Sequence, residues 1–189
     1  WSSDVCSSDL CSWGNAGMRV FGNEPRLEFD NKPSYADATI TENYYNTLYS
    51  VLSQSNDVLA QTINNGVTMD DGSTNLVNAV AYFTQGVSLG YIGLLYDKAF
   101  IVTHETDLSV EIQTSPYKDV LAAAVASLDK CIAVCNSASF TIPSEWLPGD
   151  SWTSAEFGQL ASSFAARLLV YGARNKTDDN ATDWAKVYN

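Results

Sequence analysis

The sequence predicts an all-α protein built from tetratricopeptide-like helical-hairpin repeats with long irregular loops. Three observations carry that expectation. Apolar residues recur at helical spacing in four stretches, the helix starts near 41, 76, 116, 153 and 183 fall about 30 to 40 residues apart, and Gly-, Asn- and Pro-bearing sequence separates them. Each hairpin of such an array exposes an apolar face that the next one covers.

The first helix spans Thr41 to Asn64, with Tyr45, Leu48, Tyr49, Leu52, Val58, Leu59 and Ile63 close to a 3.6-residue period and Asn64, Asn65 and Gly66 as its stop. Met69 to Thr74, MDDGST, reads as an Asp-Gly turn; it lacks the alternating ligands and closing Glu of a calcium loop. The second helix, about 76 to 96, carries no charge from Ala79 to Tyr96, which reaches the length of a membrane span. Thr84, Gln85, Ser88 and three glycines argue instead for a buried core helix, and Gly86, Gly90 and Gly93 at i, i+4 and i+7 let another helix approach its backbone.

Residues 103 to 116 form a polar loop, with Ser115 as N-cap and Pro116 at the first position of a third helix. Tyr117, Val120, Leu121, Ala124, Leu128, Cys131, Ile132 and Cys135 make its apolar stripe. Ser137 to Ser151, with Pro143, Trp146, Pro148 and Gly149, is a surface insertion. Thr153 and Glu156 spell a capping box for a fourth helix with Phe157, Leu160, Ala161, Phe164, Leu168 and Tyr171 on one face. Gly172 and the polar run NKTDDNAT end it, and Thr182 or Asp183 caps a further helix. Asn175-Lys-Thr177 and Asn180-Ala-Thr182 are formal glycosylation sequons.

Residues 1–10, WSSDVCSSDL, match the translation of a sequencing-adapter oligonucleotide and are set aside as an artefact, leaving 11–189 as the N-terminal part of a helical-repeat domain cut at both ends. The chain is 46% hydrophobic and 17% charged, enough to bury one core without disulfides. Its formal net charge is −12, of which Asp4 and Asp9 belong to the set-aside stretch. Such an acidic balance argues against nucleic acid or anionic lipid headgroups as partners and suits a neutral ligand. Of the cysteines beyond Cys6, Cys131 and Cys135 read as small core residues, and Cys11 has no apolar leader that would make it a lipid acceptor. With the single His104 they form no metal-ligand spacing, so neither metal nor cofactor is expected.

An ordered series of landmarks from Asn43 onward resembles the SusD/RagB family of nutrient-binding outer-membrane lipoproteins. Tyr45, Tyr49 and Asn56 precede the aliphatic pair Val58 and Leu59; Ala81, Tyr82 and Phe83 precede Leu94, Leu95, Tyr96 and Asp97, near the family's Tyr-Gly-Asp turn. Leu128 and Asp129 match its Asp-Leu helix loosely; Ser154, Ala155, Ala161, Arg167, Leu168, Tyr171 and Gly172 match its small-residue helix, and Trp184, Ala185 and Val187 its next helix start. The chain departs from the family where Ala99 and Phe100 replace the proline after the turn, and where the second helix lacks the usual arginine. The resemblance implies a non-enzymatic protein, lipid-anchored on the extracellular face of the outer membrane. It would capture an oligosaccharide or peptide and deliver it to a SusC-type TonB-dependent transporter.

Sugar capture needs flat aromatic faces beside planar hydrogen-bonding groups. Two loop sources offer them: Trp13, Arg19, Arg26 and Tyr35 ahead of the first helix, and Trp146 and Trp152 at the insertion. The alternative role for each aromatic is to lock its loop onto the bundle. Two other classes compete. An α/α-barrel glycosidase needs paired carboxylates facing one cleft, and no such pair is visible. His104 beside Glu105 lacks the second histidine of a zinc motif. A helical-repeat scaffold for another protein would bind no sugar.

Overall fold

Four long helices dominate the structure, a computed structural model that describes residues 32, 34–35, 38–146 and 151–188. They are α1 (Thr39–Leu59), α2 (Thr74–Leu95), α3 (Tyr117–Ser137) and α4 (Ser154–Tyr171), so the protein is all-α as expected. Two short helices follow, α5 (Lys176–Asn180) and α6 (Trp184–Tyr188). The polar run after Gly172 is therefore not loop throughout, because Asn175 caps α5 by accepting from the Thr177 and Asp178 amides.

The chain divides within α1 into two compact units, Trp1–Thr47 and Leu48–Asn189. In the first, a turn leads into α1: Tyr35 N donates to Lys32 O at 3.0 Å, and Thr41 Oγ1 donates to Ala38 O at 3.0 Å. In the second, α1 turns Leu52, Ser55, Asn56 and Leu59 inward and then widens into a π turn, Ala60–Asn64. The helix stops where the sequence places the stop, because Gly66 adopts φ +67°, a backbone open to glycine at little cost. The Asp-Gly turn also forms: Asp71 Oδ1 accepts from the Ser73 amide at 2.9 Å.

Helix α2 is the central rod, with twelve of its 22 residues buried. Its glycines behave as their spacing predicts. A Cβ on Gly86 would lie 2.7 Å from Leu128 Cγ and 3.0 Å from the Ala124 carbonyl, one on Gly93 2.9 Å from Leu121, and one on Gly90 2.6 Å from Leu168. Gly86 and Gly93 thus admit α3, and Gly90 admits a leucine of α4. Helix α3 packs along both α2 and α4. Among the described residues α3, rather than α2, is the helix long and apolar enough to cross a membrane, and seven of its eight buried residues belong to the shared core, Ser127 being the exception. Cys131 and Cys135 are free thiols in that core, as expected, and burial raises the pKa of both.

The two long connectors are pinched at their bases in the same way. β1 (Lys98–Ala99) pairs antiparallel with β2 (Ser115–Pro116) just before α3, and β3 (Thr141–Ile142) pairs with β4 (Trp152–Thr153) just before α4. The first bridge corrects one expectation. Ser115 is not the N-cap and Pro116 is not helical; Pro116 takes that cap position at φ −57°, ψ 151°, since pairing with Lys98 needs extended backbone. The second bridge corrects another, because the insertion is not purely a surface segment: Ile142 is fully buried and Phe140 and Trp152 pack on the core. The Thr153–Glu156 capping box is present in both directions. Tyr171 leaves the apolar face proposed for α4, being 60% exposed, and Ala165 is buried instead.

Candidate functional site

Of the six residues proposed to contact ligand, Trp13, Arg19 and Arg26 lie outside the described residues. Tyr35 is half-buried in the turn before α1. Trp152 sits in β4 opposite Ile142, half-buried against the core, which is the loop-locking role. Trp146 differs: it is 50% exposed and lines a cavity of about 260 Å³ between α1 and α2. The two insertion tryptophans therefore do not share a site, since Trp152 is absent from the lining of that cavity.

The walls of the Trp146 cavity follow from helical spacing. Val51, Ser55 and Val58 project from α1, and Val77, Val80 and Thr84 from α2, at i, i+3 or i+4 steps that align side chains along one face. The hydroxyls of Ser55 and Thr84 donate to the carbonyls of Leu52 and Val80 in their own helices, leaving their oxygens as acceptors; Gln54 adds an exposed amide. An exposed indole, aliphatic walls and neutral polar atoms form a surface suited to an uncharged ligand with an apolar face.

A larger cavity of about 490 Å³ lies between α3, α4 and the α5–α6 segment. Its floor is aliphatic, with Leu121, Val125 and Leu168, and no aromatic ring lines it. Four of its five charged residues form ion pairs, Lys118 with Asp178 and Lys186 Nζ with Asp129 at 2.6 Å, while Asp183 accepts from the Lys186 amide. Lys118 and the Tyr117 hydroxyl hold the Asp178 carboxyl below the usual carboxylate range.

Sequence reasoning missed a polar network beside the first connector, buried at Asn56, Gln85, His104 and Ser127. Tyr49, Asn56 and Asn64, on one side of α1 and its π turn, bond to successive alternate residues of the segment that follows β1. The Tyr49 hydroxyl donates to Phe100 O at 2.7 Å and accepts from its amide at 2.8 Å; Asn56 Nδ2 donates to Val102 O at 3.0 Å; Asn64 Nδ2 donates to His104 O at 2.6 Å. Gln85 of α2, 1% exposed, is the hub: Nε2 donates to Asn56 Oδ1 at 2.7 Å and faces His104 Nδ1 at 3.4 Å, while Oε1 accepts from Ser127 Oγ at 2.8 Å. The available signal was Gln85 itself, an amide in the middle of an uncharged helix, which is costly unless its hydrogen bonds are met.

Arg174, also missed, closes the C-terminal end of α2. Its guanidinium pairs with Asp97, donates to Gly93 O and Tyr96 O at 3.1 Å each, and stacks 3.8 Å from the centre of the Tyr117 ring. This places positive charge on the negative end of the helix dipole. It explains Tyr96-Asp97 at the helix end as a docking point for a residue 77 positions later.

His104 forms no zinc-type cluster: among the described residues no three His, Cys, Asp or Glu side chains gather to hold a metal ion. Comparison with known proteins returns no match, whether to a family model, a curated protein or a solved structure.

Proposed function

We propose that the chain is the N-terminal part of a SusD-like helical-repeat protein that captures a glycan or other nutrient oligomer at the outer-membrane surface and passes it to a SusC-type TonB-dependent transporter. In this reading α1–α2 and α3–α4 act as successive tetratricopeptide-like hairpins, and the irregular connectors carry the contacts. The observation that carries it is Trp146, an exposed indole at a cavity walled by valines and neutral polar groups. Indole faces stack on the C–H side of pyranose rings, while hydroxyl and amide oxygens meet the sugar hydroxyls. A cavity of 260 Å³ falls just below the range of ligand pockets, about 300–1,000 Å³, so one ring at most would enter while a longer chain extends over Trp146.

Affinity electrophoresis of the chain against a panel of neutral polysaccharides tests the proposal, comparing wild type with Trp146→Ala. Retardation by at least one polysaccharide, lost in the variant while the circular-dichroism melt is unchanged, is the expected result. Equal retardation of both proteins would refute the site, and no retardation by any glycan or peptide pool would refute the function. A lipoprotein signal upstream in the gene and a neighbouring gene for a large β-barrel transporter would support the delivery step.

A further inference from the structure

We propose that the Asn56–Gln85–His104 network is an acid-released latch: protonation of His104 drives its ring from Gln85 toward Glu105 and frees residues 98–106 from α1. The inference is independent of the glycan reading and starts from one backbone carbonyl.

Val102 O can only accept, so the Asn56 amide must turn its nitrogen toward it and its oxygen toward Gln85. That oxygen requires the Gln85 nitrogen, at 2.7 Å, and the same nitrogen faces His104 Nδ1. The ring must therefore present a bare Nδ1 and carry its proton on Nε2. Two amides thus transmit the polarity of a carbonyl to an imidazole tautomer. Gln85 cannot flip in response without setting its oxygen against Asn56 Oδ1, and Asn56 cannot flip without setting its oxygen against Val102 O.

A second proton on Nδ1 places two N–H donors face to face in a site where the histidine side chain has no exposed surface. The cation has another place to go. Nε2 has no hydrogen-bond partner, yet Glu105 Oε1 lies only 3.7 Å away, held by Lys130 at 2.8 Å. The groups facing the ring are Glu105 in the same loop, Lys130 from α3 and the Tyr82 ring edge-on from α2 at 5.6 Å between centroids; Asp57 of α1 lines the cavity of about 300 Å³ that His104 also lines. Glu105 favours the cation, while burial and Lys130 oppose it, and burial is the largest effect, so the neutral ring and the closed latch prevail near neutral pH. Once the ring leaves Gln85, the network loses its hub contact. The bonds from Tyr49, Asn56 and Asn64 to Phe100, Val102 and His104 then have less holding them.

Hydrogen–deuterium exchange of the purified chain at pH 7.5 and pH 5, corrected for intrinsic amide chemistry, reads the latch through the Phe100 amide, which donates to the Tyr49 hydroxyl, and through solvent access to the amides beside it. Wild-type peptides covering 98–106 should lose protection by about tenfold or more, because above its pKa a site gains about tenfold in protonated fraction for each pH unit of the drop, while α3 peptides stay constant. His104→Gln, whose amide oxygen can accept from Gln85 at any pH, should abolish the difference. A flat wild type, or an acid effect that persists in His104→Gln, would overturn the proposal. Should that variant fail to fold, ¹⁵N spectra of wild type decide it, because the chain has a single histidine. A neutral Nε2–H tautomer whose titration coincides with the loss of protection upholds the latch, and an Nδ1–H tautomer or a titration at a different pH refutes it.

Discussion

The two long connectors solve one problem with different balances of polar and apolar contact, since the first also buries Ala99 and packs Ile101 on the core. Both leave a core helix, wander, and return through a two-residue antiparallel bridge that abuts the next helix. The first, between α2 and α3, is held by polar groups, with Tyr49, Asn56 and Asn64 gripping its backbone and Gln85 buried behind them. The second, between α3 and α4, is held by apolar burial of Ile142 and the packing of Phe140 and Trp152, and leaves Trp146 outside. Hydrogen-bonded backbone can be released by changing one proton, whereas buried hydrocarbon responds only to loss of volume. On the two proposals above, the first connector would be the element that moves and the second the one that presents a side chain.

Substitutions at the two anchors should break this comparison most clearly. Gln85→Leu leaves Asn56 Oδ1 and the His104 ring without their partner, while Ser127 keeps the Ala123 carbonyl, and should cost about 2–6 kcal/mol, at about 1–3 kcal/mol for each buried group left unmet and with imperfect additivity. Ile142→Ala should cost about 2–5 kcal/mol through lost transfer energy and the cavity left behind. Denaturant unfolding gives both magnitudes, and hydrogen exchange separates them: the first variant should lose protection at 98–106, the second at 138–146. Loss spread equally over both connectors in either variant would mean that the anchors are not independent.

Smaller in effect, Arg174→Ala should destabilise by about 1–2 kcal/mol, from the helix-dipole contact and the cation–π stack together. Arg174→Lys should recover less than half of it, since an ammonium cannot reach two carbonyls, a carboxylate and a ring face at once. Thermal melts of the three proteins check this. Full rescue by lysine would reduce the guanidinium to a point charge.

A pH titration of stability sharpens the contrast further. Because burial lowers the His104 pKa in the folded state, the unfolded chain binds the proton first, and stability should fall as pH drops below the ordinary histidine value of about 6.5. The pKa values of Glu105 and Asp178 are lowered instead, mainly by their lysine partners, so their contribution is present above the ordinary carboxylate range and disappears only under stronger acid. Urea midpoints from pH 8 down to about pH 2 should therefore show two steps, the upper one missing in His104→Gln. The smallest expected effect belongs to Trp146→Ala, within about 0.5 kcal/mol of wild type as for other exposed side chains, which makes it a clean probe of ligand binding.

Much of the scaffold was legible because local rules suffice for it. The Thr153–Glu156 box, the stop at Gly66 and the apolar stripe of α3 are written over a few consecutive residues, where a cap hydrogen bond or a helical period has no distant competitor. The glycine triplet of α2 went further, foretelling a close approach, because a missing Cβ has few other uses in mid-helix. Ser115 and Pro116 escaped the same rules: a capping signature was overruled by a bridge to Lys98 and Ala99, a pairing that only the returning chain supplies.

The candidate sites divide along the same line. By itself the sequence determined that the described residues are mostly helical, that α2 is a buried rod, and that Trp146 and Trp152 flank a Pro-Gly break. Which tryptophan faces outward, that Gln85 serves three partners, and that Arg174 caps a helix 77 residues upstream of it at Asp97 were decided only by tertiary structure. The physical reason is range. Helical period and capping are interactions between residues three or four apart, whereas burial and the satisfaction of a buried amide depend on groups that meet only after the helices have packed.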